Sequence, residues 1–354
     1  MKWMLKALLI LTLLAGVVLA WAKFSLDSYM DSPMGNAEPF TLVVEKGATL
    51  RDVSRDLRTA KASQNTHWLL LRAKLDETAG LIKAGQYTVP TGMTPTDLLA
   101  MLIAGKVDLE RVSLIEGWTA AQAVNAIISH PEIVNDLDIS IDRRVNGEPW
   151  LGPGAQQQLA SMLSIPHRSV EGMLAPDTYQ FAAGSNASEI LKMSHSLMLE
   201  RVQQTWDDGL SARGIENRYA FVTLASIVEK ETGLASERPA IAGVFVRRLA
   251  RGMKLQTDPT VIYGIGPDYD GDIRRRDLNA ETPYNTYVID GLPPTPIALV
   301  GLASLQATAN PADGKALFFV ATGKGDGSHE FSETNEAHER AVTRYLERLR
   351  SQGD

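Results

Sequence analysis

The chain has no cysteine among its 354 residues. That excludes a disulfide framework, a thiolate nucleophile and any thiolate-held metal. It also has no basic excess: 35 Lys and Arg stand against 42 Asp and Glu, a net charge of −7. A nucleic-acid partner needs a basic face to neutralise phosphates, so no nucleic-acid role is expected. Gly-x-Ser-x-Gly elbows, Walker loops and His-Glu-x-x-His helices are missing too, and with them three common catalytic classes. His329 and His338 have Glu330 and Glu333 between them, but that spacing is weak for a metal site. No metal or cofactor is expected, and His329 reads as a loop histidine that touches substrate.

What is present suffices for a core. Hydrophobic residues make up 44% and charged residues 22%, ordinary values for a globular chain. The length fits two modest domains, or one with an appendage. The one long apolar run is N-terminal: Ala7 to Ala22 carries no charge over 16 residues. Trp3, Met4 and Phe24 to Leu26 extend it toward the ~20 residues that span hydrocarbon. Ala20-Trp21-Ala22 also fits a signal-peptide cleavage site. The reading adopted is an uncleaved anchor over 1–26, with Lys2 and Lys6 on the cytoplasmic side and the remainder exported.

Residues 27–39, rich in Ser, Asp, Pro, Gly and Asn, read as a linker. From Phe40 the pattern gives a strand, a turn at Glu45-Lys46-Gly47-Ala48, helices at Leu50–Leu57 and Trp68–Leu75, a strand at Ile82–Val89 and a helix opened by Thr94-Pro95. This strand–helix–helix–strand unit, 40–108, resembles a LysM-like module, a small glycan-binding fold. A docking subdomain without a ligand is the alternative. Residues 109–350 form a larger mixed unit of helices and a mixed sheet, so the expected class is α+β.

Within that unit, Tyr219–Thr232 reads as a helix. At 100° per residue Phe221, Leu224, Ala225 and Val228 form its core face. Glu229 lies on one flank, Glu231 on the other, and Lys230 points away. Periodicity does not choose between the two glutamates. A helix opened by Ser236-Glu237-Arg238-Pro239 follows, and then a polar loop, Lys254–Gly264, that can return over the first helix. Further Gly-, Pro- and aromatic-rich clusters follow at 282–287, 291–296 and 323–332, a composition typical of loops held in fixed shapes around a site.

Five strings then carry a resemblance. Ala225-Ser226-Ile227-Val228-Glu229-Lys230-Glu231, Leu255–Gly264, Pro283-Tyr284-Asn285-Thr286-Tyr287, Gly291-Leu292-Pro293-Pro294 and Gly327-Ser328-His329-Glu330-Phe331 closely resemble the endolytic murein transglycosylases, the YceG-like family. Glu171-Gly172 with Pro176-Asp177-Thr178-Tyr179 matches another of its signatures. The resemblance implies an enzyme that cuts the β-1,4 bond between N-acetylmuramic acid and N-acetylglucosamine, leaving a 1,6-anhydro end. It implies Glu229 as the catalytic residue, donating to the glycosidic oxygen and then accepting the muramyl 6-hydroxyl proton. One carboxyl suffices because the nucleophile is the substrate's own hydroxyl, unlike the paired carboxylates of ordinary glycosidases. Asp258, Glu231 and Glu330 are available as a second carboxylate should the enzyme be a hydrolase. Substrate contacts are expected from Gln256, Thr257, Asp258, Tyr263, Tyr284, Asn285, Ser328, His329 and Glu330. Peptidoglycan strands, the inner membrane and penicillin-binding proteins of wall elongation are the implied partners. A non-catalytic peptidoglycan-binding scaffold is the rival reading.

Overall fold

A computed structural model describes residues 2–45, 47–207, 209–210 and 214–352. Lys46, within the expected turn at 45–48, lies outside the described residues. The chain divides into two compact units, Met1–Glu110 with Gln180–Gly184, and Arg111–Tyr179 with Ser185–Asp354.

The first unit begins with helix α1 (Lys2–Asp31). Its apolar stretch is long enough to cross a membrane, and its side chains are exposed from Trp3 to Trp21. The final turns behave differently. Leu26, Met30 and Met34 recur at four-residue spacing and are buried in the unit's core with Leu42, Leu57, Leu69 and Tyr87. The Thr96 hydroxyl donates to the Met30 carbonyl at 3.0 Å. Residues 27–39 therefore open as helix and carry core contacts, where the polar composition suggested a linker.

The order then runs β1 (Phe40–Val44), α2 (Leu50–Thr59), α3 (His67–Leu75), β2 (Gly85–Val89), α4 (Pro95–Ala104). β1 and β2 pair antiparallel from Phe40↔Val89 to Val44↔Gly85. Alternation puts Leu42, Val44, Tyr87 and Val89 inward. Thr94 caps α4 by accepting from the Asp97 amide, Pro95 fits its first turn, and Gly105 at φ 68° ends it.

The larger part of the chain continues with β3 (Leu109–Ser113), α5 (Ala120–Ile128), β4 (Ile133–Val134), β5 (Asp142–Arg143), β6 (Pro149–Trp150), α6 (Pro153–Met162), β7 (Thr178–Ala182), β8 (Ser185–Asn186) and α7 (Ala187–Thr205). After these come α8 (Arg218–Glu231), α9 (Arg238–Ala250), α10 (Asp258–Ile265), α11 (Arg275–Leu278), α12 (Leu302–Ala309), β9 (Phe318–Ala321), β10 (His329–Ser332) and α13 (Asn335–Gln352). The class is mixed α and β. No broad mixed sheet forms among the described residues, because every ladder has only two strands.

Helices supply the core of the second unit, and α8 is its axis. Every residue from Phe221 to Val228 is buried, including Thr223 and Ser226. The single core face expected from the helical wheel is therefore too narrow: α9, α10 and α12 all pack on α8. Asp258–Ile265, expected as loop, is helix α10. Thr257 precedes it, Pro259 sits in its first turn, and Val261 and Tyr263 are buried.

Glu171 is the buried carboxyl of this core, 1% exposed. It accepts from the Ala120 amide at 2.8 Å and from the Tyr263 hydroxyl at 3.1 Å. Burial pushes it up to about 7, against those hydrogen bonds and nearby Arg144. An acid with a raised folded pKa stabilises the fold at low pH and loses that contribution as pH rises through the folded value. We predict that stability falls between pH 4.5 and 7 in the detergent-solubilised protein, and that Glu171→Gln flattens this slope. Thermal melts across that range check it, and an unchanged slope in the variant would refute the assignment.

Candidate active site

Glu229 and Glu231 stand where α8 emerges from its packing. The Glu229 side chain is 5% exposed. Its Oε2 accepts from the Gly301 amide at 3.0 Å, and its Oε1 meets the Arg238 guanidinium at 3.5 Å. The Gly301 amide is delivered by the segment 297–301, which is held against α8. Ser226 accepts from the Ile297 amide at 3.0 Å and donates to the Thr223 carbonyl at 2.7 Å. One turn of α8, about 5 Å, thus separates the two points at which this segment is held. A cleft of about 520 Å³ opens over Glu229, lined also by Glu116, Trp118, Gln122, Lys230 and Arg238. Lys230 does not stand clear of the site: its Nζ donates to the Gly117 carbonyl at 3.1 Å.

Arg238 opens α9, and Glu237 precedes it. The neighbouring carboxylate has a different partner. Glu237 accepts from the His329 amide at 3.0 Å and meets its Nδ1 at 2.7 Å. His329 also lies edge-on to Phe319 at 5.5 Å. Consecutive residues of one turn therefore fix both Glu229 and the start of β10.

The polar loop settles on the other glutamate. The Thr257 hydroxyl donates to Glu231, and the Thr257 amide donates to the Thr286 hydroxyl at 3.1 Å. Burial raises the Glu231 pKa, with the Thr257 hydrogen bond opposing. Gln256 adopts φ 52° and accepts from Arg248 at 3.2 Å. Asp258 accepts from the Tyr287 hydroxyl at 2.7 Å. Gln256, Thr257, Asp258 and Glu231 line a second cleft of about 480 Å³, floored by Arg248 and Phe318. The loop was expected to return over α8, and its contact there is with the Glu231 flank.

Other expected substrate contacts are occupied inside the protein. Asn285 is fully buried, and its amide donates to the carbonyls of Asp277, Leu278 and Ala280. Tyr263 is 7% exposed and packs between Trp150 and Tyr284. The Tyr263 hydroxyl donates to Glu171, so the polar groups of both residues are hydrogen-bonded within the protein. Tyr284 is half-buried and bonds Thr295 at 2.9 Å. Ser328 donates to Asp326 at 2.5 Å. Glu330 pairs with Arg344.

A model of the YceG-like family matches residues 42–344. The chain belongs to the YceG-like family. A Bacillus subtilis protein named endolytic murein transglycosylase is 29% identical over 270 residues, 75% of this chain and 73% of that protein. A Streptococcus pneumoniae protein of the same name is 25% identical over 92% of this chain, which spans 61% of its length. A crystal structure of a YceG-like protein from Listeria monocytogenes matches 86% of the chain and 99% of its own, with TM-score 0.53 and 27% identity.

Sequence reading of this YceG-like chain missed Arg238, Glu237 and the Glu116–Trp118 turn. A signal was available for Arg238. An arginine opening a helix opposes the helix dipole, so a carboxylate partner was to be expected. Ser236-Glu237-Arg238-Pro239 read only as a helix start.

The Glu231 flank yields a direct test. Thr257→Val removes the hydroxyl that donates to Glu231 and should cost about 1–3 kcal/mol. The loss should be larger at pH 8 than at pH 5, since the hydroxyl favours the ionised form. Urea denaturation at both pH values measures it, and equal stability to wild type would refute the contact.

Proposed function

We propose that this protein is an endolytic peptidoglycan lytic transglycosylase anchored in the bacterial inner membrane, with its catalytic unit in the periplasm. The observation that carries the reading is Glu229. It is a nearly enclosed carboxyl between a guanidinium and a backbone N–H, at the base of a cleft walled by Trp118 and polar groups. Its relatives' name supplies the substrate, murein.

In the proposed reaction protonated Glu229 donates to the oxygen of the β-1,4 bond between N-acetylmuramic acid and N-acetylglucosamine. The C1–O bond breaks and the N-acetylglucosamine hydroxyl leaves. The muramyl 6-hydroxyl attacks C1, its proton passes to the Glu229 carboxylate, and a 1,6-anhydro end forms. Arg238 and the Gly301 amide stabilise the ionised half of this cycle, since both donate to carboxylate oxygens. Trp118 offers an aromatic face suited to a sugar ring. Gln256, Thr257, Asp258, Ser328, His329 and Glu330 remain proposed substrate-side residues on the Glu231 and β10 flank. The β1–α2–α3–β2 unit is proposed as a LysM-like glycan grip, supported by its element order. Nascent strands are the proposed substrate, and penicillin-binding proteins of wall elongation the proposed partners.

Digestion of purified sacculi tests the reading. Wild-type protein should release 1,6-anhydromuropeptides detectable by mass, and Glu229→Gln should lower the rate at least about 10²-fold. Reducing muramyl ends would instead indicate hydrolysis. Absence of any product would favour a non-catalytic scaffold.

A further inference from the structure

Gly301 has φ −69° and ψ 156°, a conformation any residue adopts. Its backbone therefore gives no reason for glycine. The reason is spatial: a Cβ there would lie 2.1 Å from Glu116 Oε1, 2.4 Å from its Cδ and 3.0 Å from its Cγ. The missing side chain is the space that the Glu116 carboxyl fills. The amide of the same residue donates to Glu229. Two carboxyl groups thus converge on one glycine, one on its Cα face and one on its nitrogen.

The approach of Glu116 is built by the backbone. The Gly117 amide donates to the Leu299 carbonyl at 2.9 Å, and the Leu299 amide to the Trp118 carbonyl at 2.6 Å. That reciprocal pair fastens the 116–118 turn two residues before Gly301. Lys230, next to Glu229, clamps the turn from the other side through the Gly117 carbonyl. Glu116 itself is exposed and has no hydrogen bond or ion pair among the described residues. The backbone that carries Glu116 is held at this turn while its carboxylate oxygens are unspent, so the group is available to whatever occupies the cleft. Arg238 Nε is also buried there without a partner.

We infer that Glu116 is the second carboxylate of this site and that it contacts the saccharide. This rests on the reading of Glu229 as acid and base. Glycosidic cleavage passes through an oxocarbenium-like state with positive charge at the anomeric carbon and ring oxygen. Glu116 supplies fixed negative charge to that state, while the 6-hydroxyl remains the nucleophile. It forms no covalent bond and transfers no proton. Glu231, Asp258 and Glu330, the carboxylates that sequence alone offered for a second role, are each hydrogen-bonded or ion-paired to another side chain.

Glu116→Gln keeps the shape and removes the charge. Gly301→Ala keeps both glutamates but displaces the Glu116 tip, which is flexible enough to move without unfolding the protein. Initial rates of the full-length protein on uncrosslinked glycan strands should show kcat lowered about 10²-fold for Glu116→Gln. KM should stay within about twofold, as for charge felt only in the transition state. Gly301→Ala should lower kcat in the same direction, with melting temperatures at the wild-type value. Products should retain the 1,6-anhydro end in both variants. Wild-type kcat in Glu116→Gln, while Glu229→Gln is inactive, overturns this inference alone. A wild-type protein that cleaves nothing overturns it together with the reading of Glu229.

Discussion

The second unit depends on the burial of α8 around its whole circumference. From Phe221 to Val228 the helix, packed by α9, α10 and α12, has no solvent face, so polar residues there must bond internally. Ser226 does so, and in doing so fixes the segment from Ile297 onward. The carboxylates appear only where this packing stops. Glu229 and Glu231 are held because the scaffold beneath them cannot shift, and each is reached by a different part of the chain.

That division organises the chemistry. On one flank the Gly301 amide, Arg238 and Glu116 gather around Glu229. On the other, Thr257 and its loop cover Glu231. The loop owes its shape to Arg248, which donates to the Lys254, Leu255 and Leu317 carbonyls. Burial lowers the Arg248 pKa, but the backbone oxygens satisfy it. Charge in this unit is placed by hydrogen bonds to backbone more than by ion pairs, which suits positions where a misplaced carboxylate would be costly.

Much of the local structure was legible in the residues. The helix start at Thr94-Pro95, the strand that begins at Phe40 and the apolar N-terminal run each specify an element from nearest neighbours alone. Where local signals misled, packing was the cause. Asp258-Pro259 looked like loop punctuation, yet Pro fits a first helical turn, and Val261 and Tyr263 had a core to enter. Residues 27–39 looked like linker because their polar residues outnumber the two buried ones, Met30 and Met34.

By itself the sequence determined a cysteine-free α and β protein with an apolar N-terminal helix, and two glutamates at the border of a central helix. It could not say which groups meet those glutamates, because each partner lies far along the chain: Gly301 is 72 residues from Glu229, and Thr257 is 26 from Glu231. Tertiary structure alone decided that the polar loop faces Glu231. It also decided that Tyr263 and Asn285 are spent inside the fold, and that Glu116 reaches the Glu229 flank. Such distances are closed by packing, and no periodicity records them.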